Sequence, residues 1–139
     1  MREILFKAKR IDNGEWVEGV PIFDYRDEQW RIIMELDYST GTCITSDHAP
    51  RVIAKTICQY TGLTDKNGKK IWENDLIEVK HNKRHFISQI EWDAWCGGFM
   101  FQDTNTTSCG IDSLGNNGCY GLDFQVIGNI FDNAELLKE

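Results

Sequence analysis

The sequence predicts a mainly β protein with little helix and at least one small β-barrel. Three observations carry that expectation. Apolar residues recur with period two, as in Trp30, Ile32, Met34 and Leu36, so alternate side chains point to one face. Asn-Gly turn signals separate such stretches at Asn13-Gly14 and Asn67-Gly68. Sustained spacing of three and four residues, the mark of an amphipathic helix, is scarce. With seven Phe, five Trp and four Tyr, and 41% hydrophobic residues, the 139-residue chain can bury an autonomous core.

The first strand is expected around Ile4, Phe6 and Ala8, which share a face. Asp12-Asn13-Gly14 turns the chain, because Gly, and less readily Asn, tolerates positive φ. Trp16, Val17, Glu18 and Val20 make the returning strand, so residues 4–20 read as a hairpin. A third strand with one apolar face covers Trp30 to Leu36, and residues 37–49 read as turn and loop. Val52, Ile53, Ile57 and Tyr60 fit either a strand or one to two helical turns. Asp65-Lys66-Asn67-Gly68 is a second tight turn, followed by a strand through Leu76, Ile77 and Val79. Phe86, Ser88, Ile90 and Trp92 alternate as a single further strand, and Gly97-Gly98 marks a bulge or bend before Phe99 to Phe101. Residues 103–121, rich in Gly, Asn, Ser and Thr, are long for a structureless loop, so they are functional, mobile or a hairpin. Phe124 to Phe131 alternates as the last strand, and residues 132–137 suit a short helix capped by Asp132 or Asn133.

Fifteen Lys and Arg face 22 Asp and Glu, a formal charge of −7. Acidity rises along the chain, and after Arg84 the only basic residue is Lys138. Such a surface repels phosphate backbones over most of its area. The local exception is Lys66, Lys69, Lys70, Lys80, Lys83 and Arg84, interspersed with three acids. A solvated hairpin accounts for the cluster, with a nucleic-acid patch as the alternative. No apolar run approaches the ~18 residues of a membrane span. The opening Met1-Arg2-Glu3-Ile4 leads into a strand pattern rather than a signal peptide, so a cytoplasmic location and five free thiols are expected.

Reaction centres are not apparent. His81 and His85 lie four apart, which would suit a metal pair on a helix; on a strand they would share a face but stand about 13 Å apart, and exposed strand residues are the expected reading. Cys96, Cys109 and Cys119 lack any Cys-x-x-Cys pair, and nothing brings His48 to Cys43 or Cys58. Gly115, Gly118 and Gly121 precede no lysine or helix start, so a phosphate loop is not expected. Glu73, Asp75 and Glu78 beside the basic hairpin suggest surface ion pairs. Trp92 and Trp95, near Phe99 and Phe101, are either core or the lining of a groove that grips a peptide or a base. Catalytic, metal and cofactor residues are therefore assigned to none. Lys66, Lys69, Lys70, Lys80, Lys83, Arg84, Trp92 and Trp95 are the candidate macromolecule-binding residues.

Two runs give the chain its likeness. Gln59-Tyr60-Thr61-Gly62-Leu63, the Asp65-Lys66-Asn67-Gly68-Lys69 turn and Trp72-Glu73-Asn74-Asp75-Leu76 form the first. Val126-Ile127-Gly128-Asn129-Ile130-Phe131 forms the second. With Arg2-Glu3-Ile4, Phe6, Ala8, Trp16-Val17 and Gly19 at the start, the chain resembles the YopX family of small phage and prophage proteins. It departs from the family at Asn74, where Gly is usual, and at Ala134, where Pro is common. The resemblance implies an N-terminal β-region, residues 1–56, joined to an SH3-like barrel, residues 57–139, with no established biochemical activity. The expectation is a non-enzymatic accessory protein that binds protein, including itself. Binding nucleic acid through residues 66–84 is the alternative.

Overall fold

Strands make up more than half of the chain that the computed structural model describes, residues 3–34, 49–81, 84–95, 97–102, 108–110 and 123–137. The mainly β class holds. The chain divides into two compact units, Met1–Tyr60 and Thr61–Glu139.

In the first unit β1 (Phe6–Lys9) and β2 (Trp16–Asp24) form the expected hairpin, with β3 (Gln29–Ile33) paired to the far side of β2. Its turn rests on Gly14 at φ 72°, and the Asn13 side-chain oxygen accepts the Glu15 N–H at 2.9 Å. The ambiguous segment after Pro50 resolves into three pieces. Residues 50–52 lie along β3, with Ile32 N–H donating to Pro50 O at 3.2 Å and Val52 N–H to Trp30 O at 2.9 Å. A 3-10 turn, Ala54–Thr56, follows, and β4 (Cys58–Thr64) then pairs with β1 through Cys58 and Gln59. Thr56 Oγ1 locks this turn, accepting the Lys9 N–H and donating to Ile53 O.

The core of this unit is small: Ala8, Ile32 and Val52, with Val17 and Ile57 against them. Two expectations need correction. Ile4 precedes β1 and is 70% exposed rather than facing the core with Ala8. On β3, Ile32 is buried but Trp30 is exposed; Met34, just past the strand, is exposed too, and Leu36 lies outside the described residues. The strand buries its other face as well, because Arg31 is charge-paired there with Asp24 and Asp27.

In the second unit β4 continues and pairs with β5 (Lys70–Trp72) around the Asp65–Gly68 turn. A second sheet runs β11-β6-β7, from Asp123–Asn129, Asp75–His81 and Arg84–Gln89. A third runs β10-β9-β8, from Ser108–Gly110, Gly98–Gln102 and Glu91–Asp93. Their apolar faces meet in one core of Ile71, Ile77, Val79, Phe86, Ile90, Phe101 and Phe124, flanked by Leu63, Phe99 and Val126. Each fully buried aliphatic side chain there contributes roughly 1.5–3 kcal/mol.

The described strands form open antiparallel sheets, none closed into a barrel, so the SH3-like closure expected for residues 57–139 is not shown. The strand anticipated over Phe86 to Trp92 is in fact two. Ile90 breaks the ladder, donating its N–H to Asp75 O at 2.9 Å and accepting the Asn74 N–H at 2.7 Å, which separates β7 from β8. Part of residues 103–121 resolves as β10, hairpinned onto β9. The tail forms a 3-10 turn, Ala134–Leu137, after Asn133, where a short helix was anticipated. Among the described residues, no helix is long and apolar enough to cross a membrane.

Candidate functional site

The residues that carry the likeness build turns. Asp65 is buried, and its carboxylate accepts three backbone N–H groups at 2.9 Å, from Asn67, Lys69 and Val126. Burial pushes this carboxyl up, but the three N–H donors and Lys69 outweigh it and hold it below its usual range. Asp75 is likewise buried and accepts the Trp72 N–H at 2.8 Å, closing the Trp72–Asp75 turn. Inside that turn Asn74 takes φ 69°, the left-handed geometry for which glycine is suited. Gly128 makes room for Asn133, whose side-chain oxygen accepts the Asn129 N–H at 3.2 Å; Asn129 Oδ1 in turn accepts from Phe131 and Asp132.

The basic cluster is less basic than its sequence suggests. Lys66 Nζ lies 2.9 Å from Asp123 Oδ1, and Lys80 Nζ lies 3.6 Å from Glu78 Oε1. Glu78 also meets His85 at 3.2 Å and Gln125 at 3.2 Å across the strands. Hydrogen bonding from His85, with Gln125 and Lys80 adding to it against partial burial, keeps the Glu78 carboxyl low. Lys69 closes the turn and Lys70 begins β5. Lys83 lies outside the described residues, and Arg84 is placed only by its backbone pairing with His81. His81 and His85 sit on neighbouring strands of a hairpin, not on one strand as expected.

Trp92 and Trp95 stand elsewhere, on the β8–β9 hairpin. Trp92 faces Phe99 across the strands, edge to face at 5.0 Å, and Phe99 packs on the core. The pair thus leads from the core outward, and Trp92 is still 49% exposed. At the tip Asp93 Oδ1 accepts the Trp95 N–H at 2.8 Å, Asp93 O accepts the Gly97 N–H at 2.8 Å, and Gly97 takes φ 68°. Trp95 projects from this braced turn 95% exposed. The Gly97-Gly98 signal therefore marks a hairpin turn.

A second aromatic group escaped the sequence reading. Phe23 packs edge to face against Tyr25 at 4.8 Å and Trp30 at 5.5 Å, with Tyr25 84% exposed at the β2–β3 turn. Beneath it Asp24 pairs with Arg26, and Asp27 with Arg31 and Arg51. Arg31 donates to Ala49 O at 2.8 Å, and its Nε lies 3.2 Å from Asp24 Oδ2 although that N–H misses the oxygen. Hydrogen bonds from the Arg26 side chain and backbone, with the charges of Arg26 and Arg31, draw the Asp24 carboxyl down to about 2 despite burial. The alternation of charge in Asp24 to Arg31 was the available signal. On β1 and β2, Lys7 and Lys9 lie over the Trp16 ring at 4.6 and 5.7 Å.

Among the described residues no three His, Cys, Asp or Glu gather as metal ligands. Cys58 is buried, its thiol donating to Thr56 O at 3.2 Å, and Cys43, Cys96 and Cys119 lie outside the described residues. A family model described as YopX protein matches residues 5–138. The chain belongs to the YopX family. No curated protein matches it. Among solved structures this YopX-family chain is similar to protein EF1440 from Enterococcus faecalis, with 28% identity and a TM-score of 0.61 over 99% of each chain.

Proposed function

We propose that this YopX-family chain is a phage or prophage accessory protein. It acts in the host cytoplasm by binding another protein, including a second copy of itself, and catalyses no reaction. The observation that carries this reading is the display of large aromatic side chains on braced hairpins: Trp92 and Trp95 at β8–β9, Tyr25 and Trp30 at β2–β3. Aromatic residues of this kind are enriched at protein interfaces and dominate their energetics. The buried carboxylates support it too, since Asp65 and Asp75 are engaged by backbone N–H groups and Asp24 by arginines. Self-association does not rest on an open β3 edge, because residues 50–52 already occupy it.

The nucleic-acid alternative draws less support, because Lys66 and Lys80 are already ion-paired. The test is capture from host lysate on the tagged full-length chain, with and without nuclease. Protein partners retained after nuclease treatment are the expected result. Retention that disappears with nuclease would overturn the reading in favour of nucleic acid.

A further inference from the structure

The two exposed indoles of the β8–β9 hairpin belong to an acidic stretch of the sequence. From His85 to Leu137 the sequence contains no Lys or Arg, yet it carries Glu91, Asp93, Asp103, Asp112, Asp123, Asp132 and Glu135. Glu91 and Asp93 belong to β8 itself, on either side of Trp92, and Glu91 is exposed. The hairpin is also preformed: Trp92 is fixed against Phe99, and the Asp93 carboxylate and carbonyl hold the turn from which Trp95 projects.

We infer that the β8–β9 hairpin is a docking surface for a basic segment of a partner protein, one that lays Arg or Lys side chains over Trp92 and Trp95 on a hairpin whose other face carries Glu91 and Asp93. The inference rests on the protein-binding reading above and names the chemistry of the partner. The indole face carries the strongest attraction for a cation among aromatic side chains, and neighbouring carboxylates add to it. The same carboxylates repel a phosphate backbone, which sets this surface against nucleic acid even though indoles stack on bases. A second copy of this chain meets it with a charge of −7, so a heterologous basic partner suits the surface better. Trp95 has almost no contact surface within the chain, so removing it tests recognition without disturbing the fold.

The experiment uses the full chain and three probes at 0.15 M salt: a 12-residue Arg-Ser peptide, a matched Glu-Ser peptide and a 12-nucleotide oligothymidine. The readouts are calorimetry and the indole N–H resonances of the five tryptophans, assigned with Trp92→Phe and Trp95→Ala. The Arg-Ser peptide should shift the Trp92 and Trp95 resonances while the other two probes leave them in place. Trp95→Ala and Glu91→Lys should each weaken that peptide about tenfold, with melting temperature unchanged. Binding to Trp95→Ala within twofold of the parent, or no shift of these two resonances by the Arg-Ser peptide, overturns the inference. So does a shift produced by the oligonucleotide, or one that follows protein concentration alone and marks a self-interface.

Failure here is separable from failure of the broader reading. If Trp95→Ala still captures the parent's protein partners after nuclease treatment, the docking surface is wrong and protein binding stands.

Discussion

Single residues decide how the turns of this chain hold. Asn74 at φ 69° combines a strained backbone, of order 1 kcal/mol for a residue that tolerates it, with a side-chain hydrogen bond from Gln89 at 3.1 Å. The two effects are similar in size and opposite in sign for Asn74→Gly, so its denaturation midpoint should stay within about 0.5 kcal/mol of the parent. Asn74→Val loses the bond and gains full strain, and should be destabilised by about 2 kcal/mol or more. Equal stability of the two variants would show that backbone strain is not what asparagine relieves there. Gly19 and Gly128 differ in another way. A Cβ on Gly19 would meet Ile33 backbone oxygen at 2.1 Å, whereas one on Gly128 would meet the Asn133 side chain at 2.3 Å. Backbone in a paired strand cannot yield, but a side chain can. Chemical denaturation should therefore find Gly19→Ala costing at least about 3 kcal/mol and Gly128→Ala about 1–3. Gly128→Ala should be milder in an Asn133→Ala background, and strict additivity would refute that contact.

At the level of elements, the legible parts were those whose chemistry is local. Asp65-Lys66-Asn67-Gly68 and Asp12-Asn13-Gly14 announce their turns because the side-chain acceptor and the positive-φ glycine lie within the turn itself. The division between β7 and β8 was not legible, since the groups that draw Ile90 out of the ladder belong to Asn74 and Asp75, in another strand entry. The burial of both faces of β3 was hidden for a related reason: Arg31 reads as solvent-facing until Asp24 and Asp27 are placed beside it. Trp92 and Trp95 read from the sequence as either core or groove lining, and which of the two holds depended on the β8–β9 turn that leaves both exposed. The Asp24 network also sets an acid limit. Its carboxyl falls from 3.8 to about 2 on folding, so its stabilisation is complete above pH about 4 and is lost as pH falls through about 2. Asp27, Asp65 and Glu78 are also lowered and act in the same direction. Thermal melts should show a falling transition temperature from pH 4 to pH 2, and Asp24→Asn should flatten that decline. An unchanged slope in the variant would remove Asp24 from the account.

The whole molecule is an acidic, aromatic-bearing β protein, and its charge balance predicts how it meets other polymers. Ion pairs at Lys66 and Lys80 offset part of the positive charge of the 66–84 cluster. Titration with duplex DNA and single-stranded RNA between 0.05 and 0.2 M salt, ranges set by about −0.9 log units per phosphate contact, should show no saturable binding. A salt slope corresponding to three or more contacts would restore that cluster as a functional site. Family membership and overall fold were legible together, because the motifs that mark the family are the turns that build it. For the same reason those motifs say little about a binding partner, which the proposed reading assigns to the exposed hairpins.

One bond ties the ends of the second unit together in time as well as space. Asp65 accepts two N–H groups from its own turn, but its third donor, Val126, lies 61 residues further on. During synthesis, at roughly 5–20 residues per second, the β4–β5 hairpin emerges several seconds before that donor exists. Until then one oxygen of Asp65 is left to water, and the β6–β7 pair waits with the β6 edge that β11 later fills. A nascent chain halted before residue 123 therefore presents a sticky strand, and the segment that seals it, β11, leaves the ribosome only after both partners of its sheet.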